Sequence, residues 1–263
     1  MPEPQADLSS LRNPTLKDLR RAVMRGTLTE DGSAIAEGFH LLEEALRSES
    51  EITAILAAKS VRSTVEGLVR GLKHRVTAVD DSVFSVISST ESTQGVVTLV
   101  RPRTWKVEQL FRGRSIVAVL DGVQDPGNAG TIVRTAEAFG ATGVIFVKGT
   151  VSPHNPKALR ASAGSLFRIP YVTGLDPALT RAALQQKRIT LYAAHPRGQK
   201  PLPEADLRSP FAIVIGSEGR GVSQELESAA LDLKIPTIRV ESLNAAMAAG
   251  IVLYEASRQR IVK

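Results

Sequence analysis

The sequence has no cysteine among its 263 residues, which excludes disulfide bonds and thiolate metal sites. It also has no long apolar run. The longest, Ala245 to Tyr254, falls well short of the roughly 18 residues that a membrane-spanning helix needs. The first ten residues, MPEPQADLSS, contain acids and no apolar stretch, so they do not form a secretory signal. We therefore expect a cytoplasmic protein that uses neither a membrane nor a metal.

The charge of the chain favours a polyanionic partner. Apolar residues make up 43% of the sequence, as in a folded protein with a core, and the formal net charge is +6. Cations cluster in RPRTWKVEQLFRGR (101–114) and in LKDLRRAVMR (16–25). Clusters of this kind neutralise phosphates, although a basic surface is often only a solvated one.

The first hundred residues alternate between helical and strand patterns. Helices are predicted at Leu16–Met24, Ala34–Leu46, Thr64–Leu72 and in DSVFSVISS; strands are predicted at Ile52–Ala58, in RVTAVD and at Gln94–Val100. We predict a basic helical extension over residues 1–30, a small α/β domain over 31–100 and a basic linker over 101–114.

The remaining residues, 115–263, form a second predicted domain. Continuous apolar runs occur at Ser115–Leu120, Gly143–Val147, Ile189–Ala194 and Phe211–Gly216. Strands that are buried on both faces have this pattern, which indicates a parallel sheet with helices on both sides. A long helical pattern from Ser242 to about Arg260 ends the chain.

A glycine-rich loop, DGVQDPGNAG, follows the first of these strands and leads into a helix. A dinucleotide site would need Gly-x-Gly-x-x-Gly here and an acid at the end of the next strand, where Lys148 stands instead. We therefore reject a nicotinamide enzyme. What remains is Asn128, Gly130 and Arg134. Asn128 suits the N-cap of the helix, and Arg134 must either reach the surface as a solvated charge or face a ligand.

Two later stretches favour a ligand. IVIGSEGRGVS (213–223) is a buried strand that enters a loop of three glycines and one carboxylate, whose backbone can approach a ligand closely. Ser242-Leu243-Asn244 then opens a helix rich in small residues. These three motifs, in this order, resemble the SpoU/TrmH family of RNA ribose methyltransferases from Ser115 to the C-terminus. The segment His154–Pro170 resembles the family's connection between the first two motifs.

One departure from the family pattern follows Ser-Leu-Asn. The family often has Val-Ser-Val there, and this chain has Ala245-Ala246-Met247. The front half, through AEGFHLLEEAL and TQGVV, resembles the substrate-binding domain of many family members, which is similar to kink-turn-binding ribosomal proteins. The resemblance therefore implies an RNA-binding domain before the methyltransferase domain.

The resemblance implies a fold, a cofactor and a partner. The parallel sheet would carry a deep trefoil knot (the SPOUT fold), the cofactor would be S-adenosyl-L-methionine, and the methyl group would go to a ribose 2′-oxygen of RNA. Backbone groups at Gly216, Ile235 and Leu243 would contact the adenosine moiety. The family forms homodimers through the C-terminal helix, whose small-residue face fits close packing.

The resemblance also implies catalytic roles. Arg134 would activate the hydroxyl; because a guanidinium keeps its proton, we expect it to grip a phosphate or the developing alkoxide. Asn128 would orient the ribose or Arg134, and Glu218 would anchor its loop, with Arg134 as a candidate partner. Ser242 and Asn244 would form hydrogen bonds near the cofactor or across the site. His154 and His195 are alternative bases, although neither lies in a motif.

The small front domain favours ribosomal RNA of the large subunit as the substrate, for housekeeping or antibiotic resistance. The alternatives are a transfer-RNA 2′-O-methyltransferase and a catalytically inactive RNA-binding or ribosome-assembly protein on the same scaffold. Intact Asn128, Arg134, Glu218 and Asn244 argue against the inactive protein.

Overall fold

The structure, a computed structural model, describes residues 9–10, 12–90, 92–196 and 198–261. Its described residues form two compact units. The first contains residues up to 103 together with 154–167, and the second contains 104–153 and the chain from 168 onward. No helix in the described part is long and apolar enough to span a bilayer.

The helices and strands are numbered in chain order. They are α1 (Pro14–Arg25), β1 (Ala34–Glu37), α2 (Phe39–Arg47), β2 (Glu51–Ala58), α3 (Arg62–Leu68), β3 (Val76–Val79), α4 (Asp81–Ile87), β4 (Val96–Arg101), β5 (Ile116–Asp121), α5 (Pro126–Ala138), β6 (Gly143–Val147), α6 (Pro156–Ala161), β7 (Tyr171–Leu175), α7 (Pro177–Gln186), β8 (Thr190–Ala194), β9 (Lys200–Pro201), β10 (Phe211–Gly216), α8 (Gln224–Glu227), β11 (Leu231–Lys234) and α9 (Ala245–Ile261).

The first unit is built on a four-stranded sheet in the order β1-β4-β2-β3. β4 runs antiparallel to both of its neighbours, and β2 and β3 are parallel. One apolar cluster contains Leu16 and Leu19 of α1 with Phe84 of α4; another contains Leu42 of α2 and Val65 of α3. Helix α1, which falls in the predicted extension, therefore contributes to the core of this unit.

Residues 154–167 belong to the first unit, although their sequence neighbours belong to the second. α6 packs beside β1, and Leu159 and Phe167 are buried. Gly164 has φ +87°, and a Cβ placed there would lie 2.6 Å from Cβ of Glu44. The segment is thus an integral part of the packing of the first unit.

The second unit confirms the predicted parallel sheet. Its strands follow the order β7-β6-β5-β10-β8-β11-β9, and every pair in it is parallel. β5 and β10 lie side by side in a register that pairs Asp121 with Gly216. Because the carboxyl ends of parallel strands meet at one edge, the loops that follow these two strands leave from the same place.

One expectation about local structure was wrong, and three strands were not predicted. The predicted helix Ala34–Leu46 begins only at Phe39, because the four buried residues Ala34–Glu37 pair with β4 and Gly38 turns the chain at φ +105°. A short apolar run does not distinguish a strand from a buried helix. Strands β7, β9 and β11 were missed because they have no continuous apolar run; β7 and β11 are mostly exposed or half-buried.

Candidate active site

The first motif forms the start of α5. Asp125 is the N-cap, and its Oδ1 accepts a hydrogen bond from the Asn128 amide at 2.6 Å. The prediction that Asn128 caps this helix was therefore wrong. Pro126 occupies the first helical position, which proline favours, and aspartate caps as well as asparagine does. Because Asp125 caps the helix, the side chain of Asn128 is available for other partners.

The second motif forms a tight turn after β10. Ser217 and Gly221 exchange two backbone hydrogen bonds, at 3.0 and 2.9 Å. A Cβ on Gly216 would lie only 2.3 Å from the carbonyl carbon of Gly221, so glycine is required for the turn to close. The turn exposes Glu218 at its tip.

The third motif caps α9. Oδ1 of Asn244 accepts hydrogen bonds from the amides of Ala246, at 2.9 Å, and Met247, at 3.3 Å. This is the usual action of an N-cap asparagine, and it turns the Nδ2 group of Asn244 away from the helix.

A chain of side-chain hydrogen bonds joins the three motifs. Nδ2 of Asn244 donates to Oδ1 of Asn128 at 3.0 Å, and Nδ2 of Asn128 donates to Oε1 of Glu218 at 3.0 Å. Because a carboxylate only accepts, the Asn128 amide must present its NH₂ group to Glu218, which leaves its oxygen for Asn244. Three residues that lie up to 116 positions apart in the sequence thus meet at one point.

A cavity of about 240 Å³ opens beside this junction. The lining includes Gly216, Ile235 and Leu243, the three residues predicted to bind a cofactor, together with Glu218 and Ser242. The remaining lining residues are Ala194, His195, Pro196, Ile215, Ser217, Gly221, Val222, Leu233, Thr237, Glu241, Ala245 and Ala248.

The chemistry of the lining fits S-adenosylmethionine. Apolar side chains such as Ile215 and Leu233 suit the faces of an adenine ring, and the hydroxyls of Ser217 and Thr237 suit a ribose. The carboxylates of Glu218 and Glu241 complement a ligand that carries positive charge. In the described part of the chain, no group of His, Asp or Glu has the arrangement of a metal site.

Arg134 lies outside the hydrogen-bonded junction. It is exposed on α5 and is not among the residues that line the cavity. It lies six positions after Asn128, or roughly 9 Å along the helix axis. Within the described residues its guanidinium has no ion pair or side-chain hydrogen bond, so the expected pair with Glu218 is not formed; Glu218 bonds Asn128 instead.

The two candidate histidines differ in position. His195 lines the cavity, whereas His154 belongs to the first unit. Burial lowers the pKa of His154 to about 4, so that its ring is neutral at pH 7. Sequence reasoning gave no role to Asp125, Thr237 or Glu241. Asp125 could have been predicted as the cap from the sequence, because it precedes a proline at the start of a helix. Thr237 and Glu241 could not have been predicted, because only the folding of the loops brings them to the cavity.

The fold and the site define a class of protein: a parallel α/β domain with a ligand cavity lined by the segments at the ends of β8, β10 and β11, preceded by a small α/β domain. Residues 115–254 match the model of the SpoU rRNA Methylase family, and residues 13–98 match the MRM3-like substrate binding domain. The chain belongs to the SpoU rRNA methylase family.

Relatives of known sequence cover nearly the whole chain. An uncharacterised tRNA/rRNA methyltransferase of Synechocystis is 34% identical over 97% of this chain and 94% of its own length. The 23S rRNA (guanosine(2553)-2′-O)-methyltransferase RlmP of Bacillus subtilis is 32% identical over 94% of this chain and 97% of its own.

Two solved structures have a similar fold. The SpoU methyltransferase AviRb of Streptomyces viridochromogenes, in complex with AdoMet, has a TM-score of 0.86 and 25% identity, covering 95% of this chain and 99% of that one. An AdoMet-bound rRNA methyltransferase of Sinorhizobium meliloti has a TM-score of 0.82 and 31% identity, covering 98% and 99%.

Proposed function

We propose that the protein transfers a methyl group from S-adenosylmethionine to a ribose 2′-oxygen of RNA in the cytoplasm, and that its substrate is ribosomal RNA of the large subunit. The observation that carries the proposal is the junction of Asn128, Glu218 and Asn244 beside a cavity suited to the cofactor. The name of RlmP, which specifies a guanosine 2′-oxygen of 23S rRNA, supports the same reaction and substrate.

The cavity residues would hold the cofactor through complementary groups. Backbone groups at Gly216, Ile235 and Leu243 would contact the adenosine part, and Ser242 would donate or accept a hydrogen bond nearby. When bound, S-adenosylmethionine supplies a methyl group attached to positively charged sulfur. The apolar walls would exclude water, which favours a step in which charge disappears.

Arg134 and Asn128 would act on the acceptor RNA. A guanidinium has a pKa above about 12, so Arg134 would stay charged and bind a phosphate or the developing alkoxide. Its exposure and its lack of a protein partner among the described residues support a role towards a ligand. Asn128, held by Glu218, would orient the ribose, and the proton would leave to water.

The first unit would bind the RNA. The exposed cations Lys17, Arg20 and Arg25 of α1 make no ion pair with a described residue, which leaves them available for phosphates. In the segment 101–114, by contrast, the guanidinium groups of Arg101 and Arg103 are hydrogen-bonded within the first unit. We propose that the RNA-binding unit comprises the predicted domain 31–100, helix α1 of the predicted extension and residues 154–167.

The protein would act as a homodimer through α9. Met247, Tyr254 and Ile261 are 60%, 55% and 76% exposed and recur every seven residues, so they lie on one face of the helix. An exposed apolar stripe of this kind is typical of an interface between subunits.

The reaction is tested with purified protein and methyl-labelled S-adenosylmethionine. We expect label in large-subunit ribosomal RNA, recovered after nuclease digestion as a 2′-O-methyl nucleoside. Label in transfer RNA alone would favour the alternative substrate. Cofactor binding by calorimetry without methylation of any RNA would favour the inactive RNA-binding protein.

The role of Arg134 is tested by Arg134→Ala and Arg134→Lys in single-turnover assays, with cofactor affinity measured separately. We expect the alanine variant to lose methyl transfer while its affinity for the cofactor stays close to that of the wild type, because Arg134 does not line the cavity. Wild-type chemistry from the alanine variant would remove Arg134 from the mechanism.

A further inference from the structure

The loop that leads from β5 to Asn128 is held by a side chain outside the three motifs. The Thr150 hydroxyl, just beyond β6, donates to the Leu120 carbonyl at 2.7 Å and accepts from the Gly122 amide at 3.0 Å. One hydroxyl can do both, so Thr150 bridges the backbone on either side of Asp121. It extends the hydrogen bonding of β5 and β6 past their last paired residues, Leu120 and Phe146.

Two more hydrogen bonds join the same segments. The Val151 amide donates to the Val123 carbonyl at 2.9 Å, and the side-chain amide of Gln124 donates to the Gly149 carbonyl. Gly122 itself turns at φ +73°, a conformation that side chains disfavour. The conformation of the loop therefore depends on residues 149–151 as well as on its own sequence.

Asp121 ties this loop to the loop that follows β10, residues 217–223. It is only 6% exposed, and its Oδ2 accepts from the Ser223 amide at 2.6 Å. Burying a carboxylate is costly unless hydrogen bonds compensate, and bonds to an ionised acceptor are among the stronger ones. Asp121 thus anchors the end of the loop whose tip carries Glu218.

We propose that Asp121 and Thr150 are positioning residues for methyl transfer. Thr150 sets the loop that leads to Asn128, and Asp121 fixes the loop after β10 (residues 217–223) against it, so that Asn128 and Glu218 meet. Neither residue is among those that line the cavity, so both act through the loops. The proposal rests on the proposed function, because the geometry of the loops affects activity only if this site methylates RNA.

Thr142 provides a matched control. It directly precedes β6 and lies beside the first residue of β5, at the end of the strand opposite to Asp121. Its hydroxyl, also partly buried, donates to the Leu110 carbonyl at 2.6 Å and contacts the Ile116 carbonyl at 3.0 Å. Thr150→Val and Thr142→Val each remove a hydroxyl bonded to backbone, so both should lower the melting temperature to a similar extent. Only Thr150→Val should lower kcat for RNA methylation, by about tenfold, with a nearly unchanged KM for S-adenosylmethionine.

Conservative variants separate the hydrogen bond from the volume of the side chain. Thr150→Ser keeps the hydroxyl and should restore kcat. Asp121→Ala releases the loop that lines the cavity and should weaken the binding of S-adenosylmethionine, measured by calorimetry, by about tenfold. Asp121→Asn keeps an acceptor oxygen and should lie between alanine and the wild type.

Amide hydrogen exchange gives a readout that does not depend on activity. Residues 121–128 should exchange faster in Thr150→Val than in Thr142→Val, and residues 217–223 should exchange faster in Asp121→Ala than in the wild type. Equal exchange and equal kcat in the two threonine variants would overturn the proposal. If the exchange rates of the variants follow these expectations but the wild-type protein methylates no RNA, the proposed function is overturned and the restraint on the loops is upheld.

Discussion

At the scale of the residue, Asn128 is suited to the junction by having both a donor and an acceptor in one side chain. It donates to Glu218 and accepts from Asn244, a combination that neither a carboxylate nor an ammonium group offers. The family resemblance named all three residues as candidate catalytic residues, and their catalytic roles stay a prediction. The prediction that Asn128 caps α5 was wrong, because the helix begins directly after Asp125, three positions before Asn128.

The substitution Asn128→Asp should disrupt the junction at nearly constant volume. A carboxylate has no hydrogen to donate to Glu218, and the like charges repel. We expect the single-turnover rate of methyl transfer to fall by about tenfold or more. The matched control is Asn155→Asp in the first unit, where the side chain serves as an N-cap by accepting from the Lys157 amide, a role that aspartate fulfils equally well. Equal rates in the two variants would mean that the junction does not support methyl transfer.

His154 should make stability depend on pH. Burial holds its pKa at about 4 in the folded protein, against about 6.5 in an unfolded chain. Between these values the unfolded state binds more protons, so the free energy of unfolding should fall as the pH is lowered from 6.5 towards 4, by up to about 1.4 kcal/mol per pH unit. Denaturant unfolding over this range should show the slope in the wild type and a smaller slope in His154→Gln. Identical slopes would mean that His154 titrates normally when folded.

At the scale of the element, apolar patterns located most helices and strands of the first unit and four of the seven strands in the sheet of the second. Continuous runs such as Phe211–Gly216 coincide with β10 because both of its faces are covered. The same reasoning failed for β7 and β11, whose residues are mostly exposed or half-buried. It also failed for β1, where only the pairing with β4 decides that four buried residues form a strand.

The exposed stripe on α9 predicts a change in oligomeric state. Tyr254→Glu and Ile261→Glu each place a charge on an apolar face that the proposed dimer would bury, which is costly without a partner. Light scattering after size exclusion should give a dimer for the wild type and a monomer for both variants. Leu179→Glu, at an equally exposed apolar residue of α7, should remain dimeric. A monomeric wild type would contradict the proposed interface.

At the scale of the whole molecule, the sequence predicted two α/β domains. It did not predict that a segment within the second predicted domain packs in the first unit. Residues 154–167 follow β6 of the second unit, yet they pack in the first. Sequence pattern alone does not report this, because a short helix with buried Leu159 could pack on either unit. The trefoil knot expected from the family stays a prediction.

Gly164→Ala should destabilise the first unit. The new Cβ would meet Glu44 at 2.6 Å, and the backbone has φ +87°. The left-handed conformation alone costs about 1–2 kcal/mol for a residue with a side chain. Gly174→Ala isolates that cost, because Gly174 has φ +77° and no atom near its absent Cβ. Denaturant unfolding should therefore show a larger loss for Gly164→Ala than for Gly174→Ala, and equal losses would argue against tight packing of the segment.

The three motifs meet at one junction, and we propose that this site methylates a ribose of large-subunit ribosomal RNA. The decisive experiment is to map 2′-O-methylation in RNA from cells with and without the gene. We predict that one methylated nucleotide of large-subunit ribosomal RNA disappears with the gene, returns with the wild-type copy and does not return with Asn128→Asp. An unchanged map, or a loss confined to transfer RNA, would contradict the claim.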